Sequence, residues 1–323
     1  MSDALTLASS DRLLILAPHP DDESIATGGL IQVARGAGAT VRVIVLTDGD
    51  NNPWPQRWIE KRWRIDAAAR QRWGARRRDE ARAAVRVLGL TADDTVFLGL
   101  PDLGLTDLLM RDDPQIIRAL RTQLDEVRPT MLIMPALSDR HPDHSAAHIL
   151  ARAALAQSPV PRLYTFAVHG RADAATSASV ALTAQQREIK QAAILAHQTQ
   201  MQLSRSRFLR YADSAELYQS EAAQPDELRE HPLRARFGEP GLLHVSVDLM
   251  RWNGAWRGHA LFVALDSGER ILQPLAHSTK RSGDALHIEI RCLRNAAGYV
   301  KLALPKPSWR VFDRHGWQRF QST

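Results

Sequence analysis

The sequence predicts an α/β fold: a Rossmann-like, mostly parallel sheet with helices on both faces, followed by a small C-terminal all-β module. Three observations predict it. Short aliphatic runs at 13–17, 41–46, 95–98, 131–134 and 163–168 alternate with helical patterns at 24–35, 75–88, 114–127 and 145–157. That alternation is the mark of βαβ units. From about Phe237 the helical patterning stops and short alternating or apolar runs replace it. Between the two regions lies a polar stretch holding Pro225, Pro232 and Pro240. The expected organisation is a first domain over 1–220, a linker over 221–240 and a β-rich module over 241–323.

The punctuation along the chain agrees with this reading. Gly36 and Gly38 end the first helical pattern, Gly89 follows the second and Pro129 closes the third, as helix stop signals do. Residues 172–181 are small and polar, which predicts a surface loop. Helical composition returns over 183–200, with Ile189, Ala192, Ala193 and Ala196 on one side. In the C-terminal region, runs at 242–247, 260–265, 271–274, 286–290 and 300–304 predict strands. Asp266-Ser267-Gly268-Glu269 is a hairpin turn between two of them.

Composition narrows the class. A hydrophobic content of 44% and a charged content of 24% are those of an ordinary globular protein. The single cysteine, Cys292, excludes an intramolecular disulfide and a cysteine-rich metal site, and is expected to be a small buried hydrophobe. Residues 1–11 lack the basic and apolar regions of a signal peptide, and no apolar stretch approaches the ~18 residues that span a bilayer. A cytoplasmic protein is expected. The net charge of +6 is concentrated: residues 57–82 hold ten Lys or Arg against four Asp or Glu. No nucleic-acid motif accompanies that stretch, so it predicts a solvated helix face and a patch for another anionic partner.

Two clusters carry the chemistry. Ala17-Pro18-His19-Pro20-Asp21-Asp22-Glu23 follows the first aliphatic run, and Arg140-His141-Pro142-Asp143-His144 follows the run at 131–134. In an open α/β sheet, ligands bind outside the carboxyl ends of the strands, so both clusters can reach one site. His19 and Asp22 can grip one cation from a tight turn, with His144 as third ligand. Three ligands and an open position suit a catalytic zinc, although iron or cobalt can occupy such a triad. Asp21 is then left to act on water, His141 to meet charge on a substrate oxygen, and Asp143 to orient an imidazole. The bland alternative for the first cluster is helix capping by its carboxylates. His148, one turn past His144, is read as packed rather than ligating.

These motifs resemble the LmbE-like or PIG-L zinc-dependent de-N-acetylases over about residues 12–202. Besides the two clusters and Gly28-Gly29, the resemblance rests on Leu46-Thr47-Asp48-Gly49, Arg77-Arg78-Asp79-Glu80 with Leu88-Gly89, and Leu98-Gly99-Leu100-Pro101-Asp102. Lys190, His197 and Gln200 add a weaker late segment. The resemblance implies one zinc ion per chain on His19, Asp22 and His144, with Asp21 as general base. It further implies a protonated His141 at the oxyanion, Asp143 holding His141, and Arg77 and Asp102 binding the sugar. The implied reaction removes the acetyl group from an N-acetylhexosamine glycoconjugate, such as a cell-surface polysaccharide or lipopolysaccharide-core intermediate.

Two segments add to that pattern. The insertion over 51–74 interleaves Trp54, Trp58, Trp63 and Trp73 with Arg57, Lys61, Arg62, Arg64, Arg70 and Arg72. Such a segment can meet an anionic membrane surface through Trp54, Trp58 and Trp63, giving a peripheral place at the inner membrane face. It can equally be a helical flap whose tryptophans pack inward. In the C-terminal module, Trp252, Trp256, Trp309 and Trp317 are read as core rather than as a carbohydrate platform. The rival functions are removal of a different N-acyl group and non-catalytic carbohydrate binding. A nucleotide-binding protein fits poorly, because acidic residues stand where a pyrophosphate would sit.

Overall fold

The computed structural model describes residues 3–156, 160–170, 178–213, 215–221, 231–275, 280–304 and 312–322. Its first region is built on strands β1 (Asp3–Ala4), β2 (Arg12–Ala17), β3 (Thr40–Thr47), β4 (Thr95–Leu100), β5 (Met131–Pro135), β6 (Arg162–Phe166), β7 (Ala178–Val180) and β8 (Glu216–Ser220). They form one sheet in the order β1-β7-β8-β6-β5-β2-β3-β4. Strands β4-β3-β2-β5-β6 are mutually parallel, while β8 runs antiparallel to both β6 and β7. Strand β7 lies where the sequence predicts a loop, because Ala178 and Val180 alternate inward against the core around α1.

Helices α1 (Asp22–Gly36), α2 (Pro53–Glu60), α3 (Ala67–Val87), α4 (Leu105–Met110), α5 (Pro114–Val127), α6 (Pro142–Leu155), α7 (Ala184–Ala196) and α8 (Gln198–Asp213) cover the sheet. Odd-numbered residues of β2, such as Leu13 and Ile15, face one core with α1 and α3; Leu14 and Leu16 face another with α4, α5 and α6. A strand buried on both faces must read as a continuous apolar run, and β2, β3 and β5 do. Strand β2 pairs with β3 on one side and β5 on the other, and the chain leaves it toward both edges. This is the switch point of the sheet, where a crevice opens at the carboxyl ends.

The C-terminal region adds β9 (Leu233–Glu239), β10 (Leu242–Asp248), a short α9 (Leu249–Trp252), β11 (Ala260–Leu265), β12 (Arg270–Pro274), β13 (Lys280–Ser282), β14 (Ala285–Arg291), β15 (Gly298–Ala303) and β16 (Gln318–Phe320). Two four-stranded antiparallel sheets, β13-β14-β10-β9 and β12-β11-β15-β16, face each other. Strand β9 falls inside the stretch that composition assigns to a linker; Leu233, Ala235 and Phe237 alternate into the sandwich core while Arg234 and Arg236 hide the pattern. Strand β11 explains how the regions join. Leu261, Val263 and Leu265 point into the sandwich, whereas Ala260, Phe262 and Ala264 join Tyr299 and Trp317 in the core shared with α4 and α6. Trp252 and Trp317 are buried, which excludes them as an exposed platform; Trp309 lies outside the described residues. Cys292 follows β14, and burial together with the charge of Glu269 pushes its thiol up to about 11, which keeps it protonated and unreactive.

Candidate metal centre and active site

The first cluster leaves β2 and enters α1; the second leaves β5 and enters α6. Because β2 and β5 are neighbours, His19 and His144 meet although 125 residues separate them. His19 Nδ1 lies 3.3 Å from Asp22 Oδ2 and His144 Nε2 lies 3.1 Å from the same oxygen. The two ring nitrogens are 3.3 Å apart. Ligand atoms of a tetrahedral shell with bonds of about 2.0–2.1 Å stand roughly 3.3 Å from each other, so the three atoms have the separations of a single coordination shell.

The surroundings aim both imidazoles at that shell. Asp139 Oδ2 sits 3.1 Å from His144 Nδ1, so Nδ1 keeps a donated proton and Nε2 points inward. His19 Nε2 lies 3.3 Å from Asp102 Oδ1 and 3.2 Å from Asp143 Oδ2, leaving Nδ1 for the centre. Carboxylate-backed histidines of this kind are the usual support of a metal. One nitrogen of His141 also comes within 4.8 Å of those of His19 and His144.

Electrostatics point the same way. Burial opposes charge on His19, but hydrogen bonds to Asp102, Asp143 and Asp22 hold its pKa well above the ordinary value. Burial likewise opposes charge on His144, yet Asp22 and Asp139 raise it to about 10. Burial disfavours the Asp22 carboxylate, and the charges of His144 and His19 hold it well below the usual range. The buried carboxylates therefore demand positive charge, as protons on the two histidines or as a cation. Since imidazole must be neutral to coordinate, uptake of a divalent ion displaces those protons. About two protons released per ion at pH 7, with affinity rising with pH below about 10, is the expected result of titration calorimetry in buffers of differing ionisation enthalpy. Ion uptake without proton release would contradict this arrangement.

Asp21 caps α1 with φ 148° and ψ −27°, a conformation costly for any side chain. Its N–H donates to Glu23 Oε2, 2.9 Å away, and its carbonyl accepts from the Ser24 and Ile25 N–H groups. Glu23 is in turn held by His197 at 2.9 Å and by the Ser24 hydroxyl. Burial pushes the Asp21 carboxyl up to about 6; the Arg77 guanidinium opposes the rise and Asp22 adds to it.

Several groups take places other than those expected. Arg77 donates to the Gly49 and Pro20 carbonyls and to Asp21 Oδ2 at 3.1 Å. A Cβ on Gly49 would lie 1.8 Å from Arg77 Nη1, so any side chain there would displace the guanidinium. Asp102 Oδ2 accepts from the Asn51 N–H at 2.7 Å, and its other oxygen faces His19. Both residues thus engage the site's own framework, beside Asp21 and His19. The Asp143 carboxylate accepts from the Leu103 and Leu105 N–H groups and faces His19, not His141. His141 is instead held through the backbone N–H of Asp143, which donates to Nδ1 at 3.2 Å. Burial and the neighbouring His19, His144 and His169 charges keep His141 well below the ordinary histidine value. It is therefore neutral, with its proton on Nε2. His148 lies off the centre, between the Pro135 carbonyl and Glu221.

Sequence reasoning passes over Asp139, although it stands two residues before His141. It also passes over His169, whose ring packs 5.1 Å from His144 and 5.4 Å from His141. In the insertion, Trp54, Trp58 and Trp63 are 62%, 79% and 77% exposed, whereas Trp73 is buried. The inward-packing flap holds for Trp73 alone. Arg57 lies 4.9 Å from the Trp54 ring and 5.3 Å from the Trp63 ring.

The profile of the GlcNAc-PI de-N-acetylase (PIG-L) family matches residues 14–155. A 1D-myo-inositol 2-acetamido-2-deoxy-alpha-D-glucopyranoside deacetylase from Mycobacterium sp. strain KMS is 33% identical over 169 residues, covering 47% of this chain and 53% of that protein. The deacetylase of the same description from Saccharomonospora viridis is 31% identical over 190 residues, covering 54% of this chain and 69% of that protein. Among solved structures, the N,N′-diacetylchitobiose deacetylase of Pyrococcus horikoshii superposes with a TM-score of 0.51 at 22% identity, over 65% of this chain and 83% of that one. The chain spans about half the length of the first curated relatives it matches. With both His/Asp clusters inside the matched region, at the carboxyl ends of adjacent strands, the chain belongs to the PIG-L family of LmbE-like de-N-acetylases.

Proposed function

We propose that the protein is a zinc-dependent hydrolase that removes the N-acetyl group of an N-acetylhexosamine glycoconjugate, releasing acetate and a free amine. The convergence of His19, Asp22 and His144 on one point, flanked by Asp21 and His141, carries this reading. Two imidazoles and a carboxylate suit zinc, which supplies a Lewis acid that acidifies water and polarises an amide carbonyl. Asp21, ionised above about pH 6, accepts a proton from the attacking water and returns it to the departing amine. Arg77 holds the Asp21 carboxylate in place. Neutral His141 donates from Nε2 to the oxygen that gains negative charge. Asp102, Asp139 and Asp143 are positioning residues that act through His19 and His144. A protein that only bound a metal or a sugar would have no use for a strained Asp21 whose carboxyl is pushed up to about 6.

The substrate class is proposed by analogy with the relatives, which are deacetylases of a 2-acetamido-2-deoxy-alpha-D-glucopyranoside. Acetate release from a panel of N-acetylglucosaminyl and N-acetylgalactosaminyl glycoconjugates tests the reading. Activity that disappears on chelation and returns with zinc is expected; a metal-loaded protein that binds sugars without hydrolysing any would favour the non-catalytic alternative.

The exposed tryptophans extend the reading to a lipid-linked substrate at an anionic membrane surface. Trp54 follows closely on Asn51, which bonds Asp102, so the patch adjoins the site. Lys61, Arg62, Arg64 and Arg70 are exposed beside it, and no helix among the described residues is long and apolar enough to cross a membrane. Sedimentation with phosphatidylglycerol vesicles at low salt is expected to carry the protein down. Arg57→Ala should weaken binding about fivefold, the worth of roughly 1 kcal/mol per surface cation. Absence of binding at low salt would remove this part.

A further inference from the structure

The C-terminal module reaches the active site through the segment that precedes β16. The Phe312 ring lies 4.9 Å from that of His169 and meets His141 edge-on at 5.8 Å. It is held there on several sides. The Asp313 N–H donates to the Arg140 carbonyl at 2.9 Å, and Arg140 Nε donates to the Asp313 carbonyl. Lys301 of β15 pairs with the Asp313 carboxylate. Gly316 sits so near the loop before the second cluster that a Cβ would come within 2.4 Å of the Leu137 carbonyl. His169 is fixed as well, since the Val168 and His169 N–H groups donate to Asp139 Oδ2, the carboxylate behind His144. The ring nonetheless remains 42% exposed. An aromatic ring on a fixed segment, packed against His141 and His169 yet still partly exposed, is placed to touch substrate.

The chemistry of an attacked amide says which part it touches. The carbon bears four groups after water adds. The incoming oxygen and the nitrogen that will leave both exchange a proton with Asp21. The former carbonyl oxygen, which gains negative charge, needs a donor such as His141 Nε2. The remaining group, the alkyl part of the acyl chain, has no polar requirement and is stabilised only by apolar surface. Beside His141, Phe312 offers such surface. Resting on the deacetylase reading above, we propose that Phe312, supplied by the C-terminal module, is the wall of the acyl subsite and limits the length of the acyl chain removed.

The test uses the zinc-loaded full chain and one glucosaminide carrying N-acetyl, N-butyryl or N-hexanoyl groups, with the released amine as readout. Phe312→Ala is expected to raise the hexanoyl-to-acetyl ratio of kcat/KM about tenfold or more, the range that one or two methylenes command in an apolar pocket. Phe312→Trp is expected to lower it. Opposite shifts cannot come from misfolding, and zinc content measured alongside checks the centre. A wild type active on the series whose chain-length profile is unchanged in both variants overturns the proposal alone. So does an equal loss at every chain length, which would put the ring on the sugar or behind His141. A wild type that releases amine from no N-acyl sugar overturns the deacetylase reading, and this proposal with it.

Discussion

Asp21→Asn is expected to lower kcat/KM for acetate release by about 10² to 10⁴, the worth of a general base, with zinc binding unchanged. The substitution isolates the proton-accepting role. An amide oxygen can still accept from Arg77, which donates to Asp21 Oδ2 at 3.1 Å, and the backbone N–H keeps its bond to Glu23. Asparagine also tolerates positive φ about as well as aspartate, so the turn at φ 148° is not further strained. Folding stability should not fall, because burial and Asp22 already make the Asp21 charge costly. The pH profile follows in sign. Asp21 is protonated below its folded pKa, so wild-type kcat/KM should fall about tenfold per unit on the acid side of a break at or below about pH 6, a bound cation moving that break downward. An Asp21→Asn enzyme retaining more than a tenth of wild-type activity, with the acid limb intact, would show that another group accepts the proton.

Lys190→Met is expected to cost about 3–5 kcal/mol in urea unfolding, the penalty for leaving one member of a buried ion pair alone. Lys190 of α7 is completely buried and its ammonium lies 2.5 Å from Glu216 Oε1. The carboxylate also accepts from the Gly29 and Leu30 N–H groups of α1 and from the Tyr218 hydroxyl. It thereby ties β8 and α7 to the helix whose first turn carries Asp22 and Glu23. Methionine keeps the apolar stem, which packs against Gly28, so the loss reports the charge rather than a cavity. Adding Glu216→Gln should recover part of it by removing the stranded carboxylate, a result a double-mutant cycle reads directly. A single-variant loss under 1 kcal/mol would mean that water or another cation reaches Glu216.

The central strands are legible in the chain because burial on both faces demands uninterrupted apolar residues, as in 13–17 and 131–134. Alternation makes β10 and β14 legible as well, whereas β13 is wholly exposed and β9 hides its inward residues among arginines. The insertion shows the same limit. Its composition indicates an unusual segment, but whether a given tryptophan packs or projects depends on which turn of α2 or α3 meets the domain. Trp73 is buried on α3 against the body, while Trp58 on α2 is not.

The alternation of strands and helices and the two His/Asp clusters at strand ends can be read along the chain alone. Both are local properties: a residue's hydrophobicity and its spacing to the next ligand travel with the chain. Which carboxylate stands behind which imidazole is fixed by long-range packing. Asp139 backs His144 from five residues away, whereas Asp143 backs His19 across 124. His197 reaches Glu23 across 174 residues, and Phe312 comes to His141 from the C-terminal module. Such contacts depend on the order of strands in the sheet and on where β11 and β16 seat the second region. Local spacing carries no record of either, because chain segments far apart in sequence are brought together only when the whole core closes.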